Sequence, residues 1–440
     1  MIETHIKIKG IVQGVGFRPF VYNLALKLGL KGFVNNDESG VTVVLQGDEK
    51  CIETFITTLK TTPPPLAKIE ELTTQKQAFN ELFDAFSIVQ TKVSNAKTSL
   101  VSPDIAVCED CIDDILNPNN FRYNYALTNC TNCGPRYTII KTVPYDRIHT
   151  TMSSFTLCPT CQKEYDDPTN RRYHAQPICC AACGPKVTLY DRDNHAIKEA
   201  TQALQEVAIK IKQGEIIAIK SLGGFHLVCD ATSNYAVNKL RQRKNRPSKP
   251  FAVLFKNLEQ IKKVASLSFS EEKLIMSKEK PIVLVKKNKT SNLSQSIAPK
   301  IDRLGVFLPF TPLHILLFTY LDTPLIATSA NLSDEPIIIK KDELYRKLGF
   351  VFDYVLDYNR PIMNACDDSV VQVVNDQLFI LRKARGYAPD FLKLKNATTK
   401  NILALGANQK NTLALCFDNT VITSPHIGDL NSIEAMQFFE

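Results

Sequence analysis

The sequence predicts a multidomain α+β protein, and three observations predict it. The first ninety residues alternate strand-like and helix-like runs in the order β-α-β-β-α-β; the next hundred carry eight cysteines in four CxxC pairs; and beyond residue 193 buried strands alternate with amphipathic helices. The 440 residues, 44% hydrophobic and 22% charged, match about three domains at a soft prior of roughly 150 residues each. No run approaches the ~18 to 20 consecutive apolar residues that span a bilayer, and MIETHIKIKG lacks a cationic-then-apolar leader. A cytoplasmic protein is therefore expected. The net charge of +8, from 53 basic against 45 acidic residues, is mild over this length and does not argue for nucleic acid. Thirteen cysteines without an export signal point to metal rather than disulfides, because the cytosol keeps thiols reduced.

Residues 1–92 are expected to form a ferredoxin-like domain. Ile2–Val12 reads as a strand, Phe17–Leu30 as a helix with Phe20, Leu24 and Leu28 on one face, and Val41–Leu45 as a strand. A second helix over Asp48–Lys60 presents Ile52, Phe55, Ile56 and Leu59 and is stopped by Pro63-Pro64-Pro65, which lack the amide donor. Between the first strand and helix lies Gln13-Gly14-Val15-Gly16-Phe17-Arg18. Glycine-permitted turns there aim backbone N–H groups at an anion that also feels a helix N-terminus. Arg18 supplies a guanidinium fork for two phosphate oxygens, and Asn36, in Gly32-Phe33-Val34-Asn35-Asn36, is suited to orient a water for in-line attack. The pairing resembles the acylphosphatases, whose motif takes its catalytic arginine from a VQGVxFR loop and its catalytic asparagine from a GxVxN strand.

Thr91–Leu100 is polar and reads as a linker. Residues 93–192 form the metal segment. Cys108 and Cys111 are followed after eighteen residues by Cys130 and Cys133, and Cys158 and Cys161 after eighteen by Cys180 and Cys183. Two-residue gaps let both thiolates of a pair reach one metal, and four thiolates complete the closed tetrahedron of a structural zinc site. Two structural Zn2+ ions are expected. Spacing does not decide which pairs join, and Cys179 or a histidine remains able to replace a ligand. His174, in Arg171-Arg172-Tyr173-His174, receives no assignment.

Residues 193–392 read as a mixed α/β domain. Ile197, Ala200, Leu204, Val207 and Ile211 mark a helix closed by Gly214; strands are expected at Ile216–Ile219, Phe251–Phe255, Ile282–Val285, Leu325–Ala327, Tyr354–Asp357 and Ser369–Val374. Five cations fall in nine residues, Arg241, Arg243, Lys244, Arg246 and Lys249. Such a run is more often a solvated face than a site. Here Lys244-Asn245-Arg246 and Ser329-Ala330-Asn331 together resemble the tetrad of the YrdC family, which makes carbamoyl-type adenylates from ATP. That resemblance implies that Lys244, Arg246, Ser329 and Asn331 contact nucleotide and carbamate, that Lys249 assists on phosphates, and that Lys220, Arg382 and Arg385 are further candidates.

The order of these signatures resembles the HypF family, and the likeness continues through Leu222-Gly223-Gly224-Phe225-His226-Leu227, Leu308-Pro309-Phe310-Thr311-Pro312-Leu313-His314, Cys366-Asp367-Asp368-Ser369-Val370 and Arg385-Gly386-Tyr387. The resemblance implies a carbamoyltransferase of nickel-iron hydrogenase maturation. Carbamoyl phosphate is cleaved, the carbamate is joined to ATP with Mg2+, and the carbamoyl group passes to the C-terminal cysteine of the partner HypE. Because carbamate is short-lived in water, the two early sites are expected to share an enclosed passage. Residues 393–440, with strands at Ile402–Leu405 and Thr412–Phe417, look like only the start of the ASKHA-type transferase domain. No two of the seven histidines stand four residues apart, so that domain's histidine motif is absent and the final transfer is not expected of this polypeptide. Competing readings are an RNA-linked enzyme of tRNA threonylcarbamoylation and a small-molecule O-carbamoyltransferase. The latter does not need the loop that carries Arg18.

Overall fold

A computed structural model describes residues 2–12, 15–37, 40–77, 82–89, 101–143, 145–288 and 290–440. The linker expected at 91–100 and the loop residues Gln13 and Gly14 lie outside them. The chain divides into two compact units, one of residues 1–100, 129–133 and 142–183 and the other of 101–128, 134–141 and 184–440.

The first unit contains β1 (Ile2–Ile11), α1 (Phe17–Lys27), β2 (Lys31–Asp37), β3 (Gly40–Gly47), α2 (Glu49–Thr61), β4 (Lys68–Gln77) and a short β5 (Phe86–Ile88). The sheet order is β4-β1-β3-β2-β5, the expected ferredoxin-like arrangement with one added edge strand. Alternation along β1 and β3 buries Ile6, Ile8, Val43 and Leu45, and α1 and α2 cover them with Phe17, Val21, Ile52, Phe55 and Leu59. Asp48 starts α2 by accepting from the Lys50 N–H, which satisfies one orphan amide of the first turn. Register fixes the site: Val41 of β3 pairs with Ile8 of β1 and with Asn36 of β2. Asn36 therefore lies at the end of the sheet from which β1 runs out toward α1.

The second unit is built on a twelve-stranded mixed sheet. At its centre, Ala252–Leu254 runs parallel to Arg303–Phe307 and antiparallel to Leu325–Ser329, which pairs in turn with Phe225–Asp230 and so connects to Ile217–Lys220 and Tyr354–Tyr358. The core includes Phe225, Leu227, Phe251, Val253, Phe255, Val306, Ile326 and Phe352, all nearly inaccessible. All six strand expectations hold in position. Ile197 does not begin a helix. It lies in the strand Ala196–Glu199, and the helix runs Ala200–Lys212, because residues 196–199 pair with Val187–Tyr190 at the edge of the large sheet. The first of these strands, Val187–Tyr190, precedes residue 193, so the large sheet starts inside the segment assigned to metal. At the other end, Asp390–Lys393 pairs with Thr420–Thr423 in a four-stranded antiparallel sheet completed by Leu413–Phe417 and Ile402–Leu405. The last residues form more than a strand-turn-strand start. A closing helix, Ile433–Phe439, carries Glu434 onto Lys347 at 2.8 Å.

Candidate functional site

In the first unit Gly16 takes φ 73° at the N-cap of α1, a left-handed backbone that glycine adopts without a Cβ clash. It turns the chain so that Arg18 sits in the first helical turn, while Val15 and Phe17, both fully buried, anchor the loop. Arg18 is half-buried. Burial holds its guanidinium below the ordinary pKa, opposed by Tyr173, Asp146 and Tyr165. The Asn36 Oδ1 is buried with no hydrogen-bond partner among the described residues. An orphaned amide oxygen at the same sheet end as the glycine-rich loop is one able to accept a hydrogen bond from a water and so orient it.

Two clusters gather the cysteines, Cys108 with Cys111, Cys130 and Cys133, and Cys158 with Cys161, Cys180 and Cys183, the four sulfurs of each within 4.8 Å of one another. Neighbouring pairs therefore join, which spacing alone left open. The Cys130–Cys133, Cys158–Cys180 and Cys180–Cys183 sulfurs stand 3.8, 3.7 and 3.8 Å apart. Tetrahedral geometry at a Zn–S bond of about 2.3 Å gives about 3.8 Å. The donor sets fit two structural zinc ions and leave no fourth position for water. Each second pair lies beyond a short helix, Glu109–Leu116 or Pro159–Asp166, whose N-cap is the first cysteine of its set. Cys179 and His174 belong to neither cluster.

In the second unit, the start of strand Ala252–Leu254 lies beside the end of Leu325–Ser329, and this antiparallel register brings the basic loop to the Ser-Ala-Asn turn. Asn245 takes φ 48°, so Lys244 and Arg246 leave the chain at a bend rather than along a helix. The Lys244 ammonium donates to the Ser329 carbonyl at 2.9 Å and to the Asn331 carbonyl and Oδ1 at 2.8 and 3.3 Å. The Ser329 hydroxyl donates to Asn331 Oδ1 at 2.8 Å. Arg246 donates to the Thr328 hydroxyl and the Pro250 carbonyl and stacks over Phe251. Burial and the charges of Arg246 and Lys249 push Lys244 down to about 7, although its three oxygen partners favour the ammonium. Arg246 is pushed down to about 10, chiefly by burial and then by Arg241 and Arg382. Lys249 is lowered by burial and by Arg246, Arg382 and Lys410. Mutually repelling cations, partly desolvated, form a pocket that is relieved by an anion. The side chains of Lys249 and Arg382 have no hydrogen-bond partner among the described residues, which leaves both available to phosphate.

Two of the candidates stand elsewhere. Lys220 is buried, donates to the Tyr358 carbonyl at 2.9 Å and pairs with Asp357 at 2.9 Å. With Arg360, Ser221, Tyr358, Phe310 and Val107 it lines a separate cavity. Arg385 is 1% exposed, pairs with Asp368 at 2.7 Å, donates to the carbonyls of Glu279 and Lys280, and lies over Phe310. Its donors are committed to the fold rather than to a ligand. The basic run divides similarly, since Arg241 donates to the carbonyls of Ser296, Arg246, Lys249 and Ile297 and holds the loop in shape. Sequence reasoning did not find Lys410 or His426, which share the electrostatic surroundings of Lys249 and Arg382.

Comparison with known proteins matches the acylphosphatase family to residues 4–88, the HypF finger to 107–140 and 157–190, the family described as telomere recombination (Sua5, YciO and YrdC) to 210–384, and the HypF Kae1-like domain to 397–440. The carbamoyltransferase HypF of Synechocystis sp. is 49% identical over 441 residues, covering 100% of this chain and 57% of the relative. A crystal structure of full-length HypF in the phosphate- and nucleotide-bound form superposes with a TM-score of 0.91 at 42% identity, covering 100% of this chain and 57% of that one. The acylphosphatase of Syntrophotalea carbinolica is 39% identical over 88 residues, 20% of this chain and 95% of the relative. The chain thus spans a little over half the length of the full-length relatives it matches. Among the described residues no helix is long and apolar enough to cross a membrane.

Proposed function

Because the chain belongs to the HypF family, we propose that it carries the first two steps of a carbamoyl transfer, cleavage of carbamoyl phosphate and activation of the carbamate by ATP. In the first step Arg18 and the loop amides of Val15, Gly16 and Phe17 hold the phosphoryl oxygens, together with Gln13 and Gly14, while Asn36 orients a water. The water oxygen bonds to phosphorus, the bond from phosphorus to the acyl oxygen breaks, and carbamate leaves with the electron pair. In the second, Lys249, Arg246 and Arg382 receive the triphosphate of ATP with Mg2+, and the Ser329–Asn331 turn held by Lys244 faces the carbamate. A carbamate oxygen attacks the α-phosphorus and pyrophosphate departs, leaving a carbamoyl adenylate with a good leaving group for attack by sulfur. An acceptor cysteine on HypE is the expected destination, and the cytoplasm the expected compartment. Lys220 and Arg360, buried cations lining a cavity, are suited to carry a small anion on its way.

The observation that carries this reading is the junction of Lys244 with the Ser329–Asn331 turn and of Arg246 with Thr328, with Lys249 and Arg382 in the electrostatic field of Arg246. The test is exchange of labelled pyrophosphate into ATP. Exchange is expected only when carbamoyl phosphate is present, and Arg18→Ala is expected to abolish it without changing nucleotide affinity. Exchange independent of carbamoyl phosphate would contradict the proposal.

A further inference from the structure

The guanidinium of Arg18 has neighbours that neither the phosphate loop nor the zinc clusters use. Asp146, Tyr165, Tyr173 and His174 all lie within its electrostatic reach, and none is a metal ligand. Tyr165, Tyr173 and His174 belong to the second zinc segment, which is folded onto the start of α1, and Asp146 lies in the stretch that leads into it. The Asn23 amide donates to the Pro168 carbonyl at 3.3 Å. A Cβ on Gly16 would stand 3.0 Å from the Thr131 hydroxyl oxygen, and that hydroxyl donates to the Arg171 carbonyl at 2.9 Å.

This wall is held rigidly. His174 takes φ 51°, a conformation that costs a non-glycine residue free energy and persists where its surroundings over-determine it. Its N–H donates to the Tyr165 carbonyl at 3.0 Å, and its ring lies 4.9 Å from that of Tyr165 and 4.2 Å from that of Tyr173. The Tyr165 hydroxyl donates to Gln176, whose same oxygen accepts from the Arg147 N–H. Burial and the charge of Arg18 hold His174 below its ordinary pKa.

We propose that Tyr173, His174 and Asp146 form the acyl-side wall of the Arg18 loop and restrict it to small acyl phosphates whose acyl group carries N–H donors. The inference rests on the reading that Arg18 binds the phosphoryl group. With the phosphate on Arg18, the acyl group must project toward whatever else faces that guanidinium. Two aromatic rings there leave little room for a large acyl group. The Asp146 carboxylate and the Tyr173 hydroxyl offer acceptors that an amino group satisfies and a methyl group of the same size leaves unpaired. A site built around such a hydrogen bond discriminates far more strongly than an apolar pocket does between isosteres.

The test compares kcat/KM for carbamoyl, acetyl and benzoyl phosphate on the zinc-loaded full chain. Tyr173→Ala is expected to lower the carbamoyl-to-benzoyl ratio by about tenfold or more, and Asp146→Asn to lower the carbamoyl-to-acetyl ratio similarly. Tyr173→Phe, which keeps the ring, should preserve exclusion of the benzoyl group. His174→Gly, which adopts the left-handed backbone without strain, replaces Tyr173→Ala if that variant loses zinc. Unchanged ratios, or equal loss on all three substrates with two zincs still bound, would overturn the wall. Hydrolysis that survives Arg18→Ala in the parent chain would instead overturn the underlying reading, so the two failures are distinguishable.

Discussion

The two proposed anion sites are built in opposite ways. In the first unit a single short segment supplies the loop, the helix start and the arginine, and of the groups proposed to handle the phosphoryl and its water only Asn36 comes from elsewhere, through two strand pairings. In the second, Lys244, Arg246, Lys249, Ser329, Asn331 and Arg382 come from three segments of the large sheet, two joined by its central strands and the third, with Arg382, from its edge strand, and their cations repel one another. The contrast is instructive: a local site needs little of the fold to be complete, whereas a dispersed one inherits every weakness of the scaffold beneath it. The zinc segments share the second character, since each closes a loop across eighteen residues with few apolar contacts of its own.

The contrast can be broken most forcefully at the metal. Cys158→Ser should reduce zinc from two per chain to one and unfold the 158–183 segment, since structural zinc supplies on the order of 10 kcal/mol to small domains; metal analysis and proteolysis would show it. Next is the keystone Arg385. Arg385→Met leaves Asp368 buried with only His226, at 3.3 Å, beside it and is expected to cost about 3 to 5 kcal/mol, read as a lower denaturant midpoint. Arg385→Met with Asp368→Asn should recover much of it. In the fraction that remains folded, nucleotide affinity should change little, because the arginine is committed to the scaffold.

A gentler probe is pH. With Lys244 lowered to about 7, the unliganded pocket releases its proton above that value, whereas bound phosphate favours the ammonium. Nucleotide affinity should therefore be highest below pH 7 and fall by up to about tenfold per unit above it, with about one proton taken up on binding. The sign for stability is opposite: the unfolded chain holds the lysine proton more tightly, so this group's penalty is full below about 7 and lifts as pH rises toward the ordinary lysine range. Lys244→Met should flatten the binding profile. The smallest effect is expected at Asp48, where replacement by Ala removes a helix cap and costs about 1 kcal/mol without touching either site.

What the sequence made legible follows the same division. The helix start that carries Arg18, the duplicated cysteine spacing and the β-α-β-β-α-β order are local or periodic, and each is found in the structure where expected. Zinc pairing was not legible, because both pairings satisfy the spacing. Lys220 and Arg385 read as further candidates for the nucleotide site, yet Asp357 and Asp368 pair with them from 137 and 17 residues away. Ile197 fits the helical period, but edge pairing with residues 187–190 prevailed over that pattern. Tyr173 and Asp146 carry no motif that announces a place beside Arg18, more than a hundred residues earlier in the chain. Only the folding of the second zinc segment onto α1 reveals it.

The claim at the centre is that both sites act in turn on one carbon-nitrogen fragment. It is tested most directly by supplying carbon-labelled carbamoyl phosphate with ATP in a large pool of unlabelled bicarbonate and ammonia, and measuring the label in the adenylate. The account predicts a carbamoyl adenylate that keeps the full specific activity of the carbamoyl phosphate and disappears in Arg18→Ala. An adenylate diluted to the specific activity of the pool, or one formed equally well without Arg18, would contradict it.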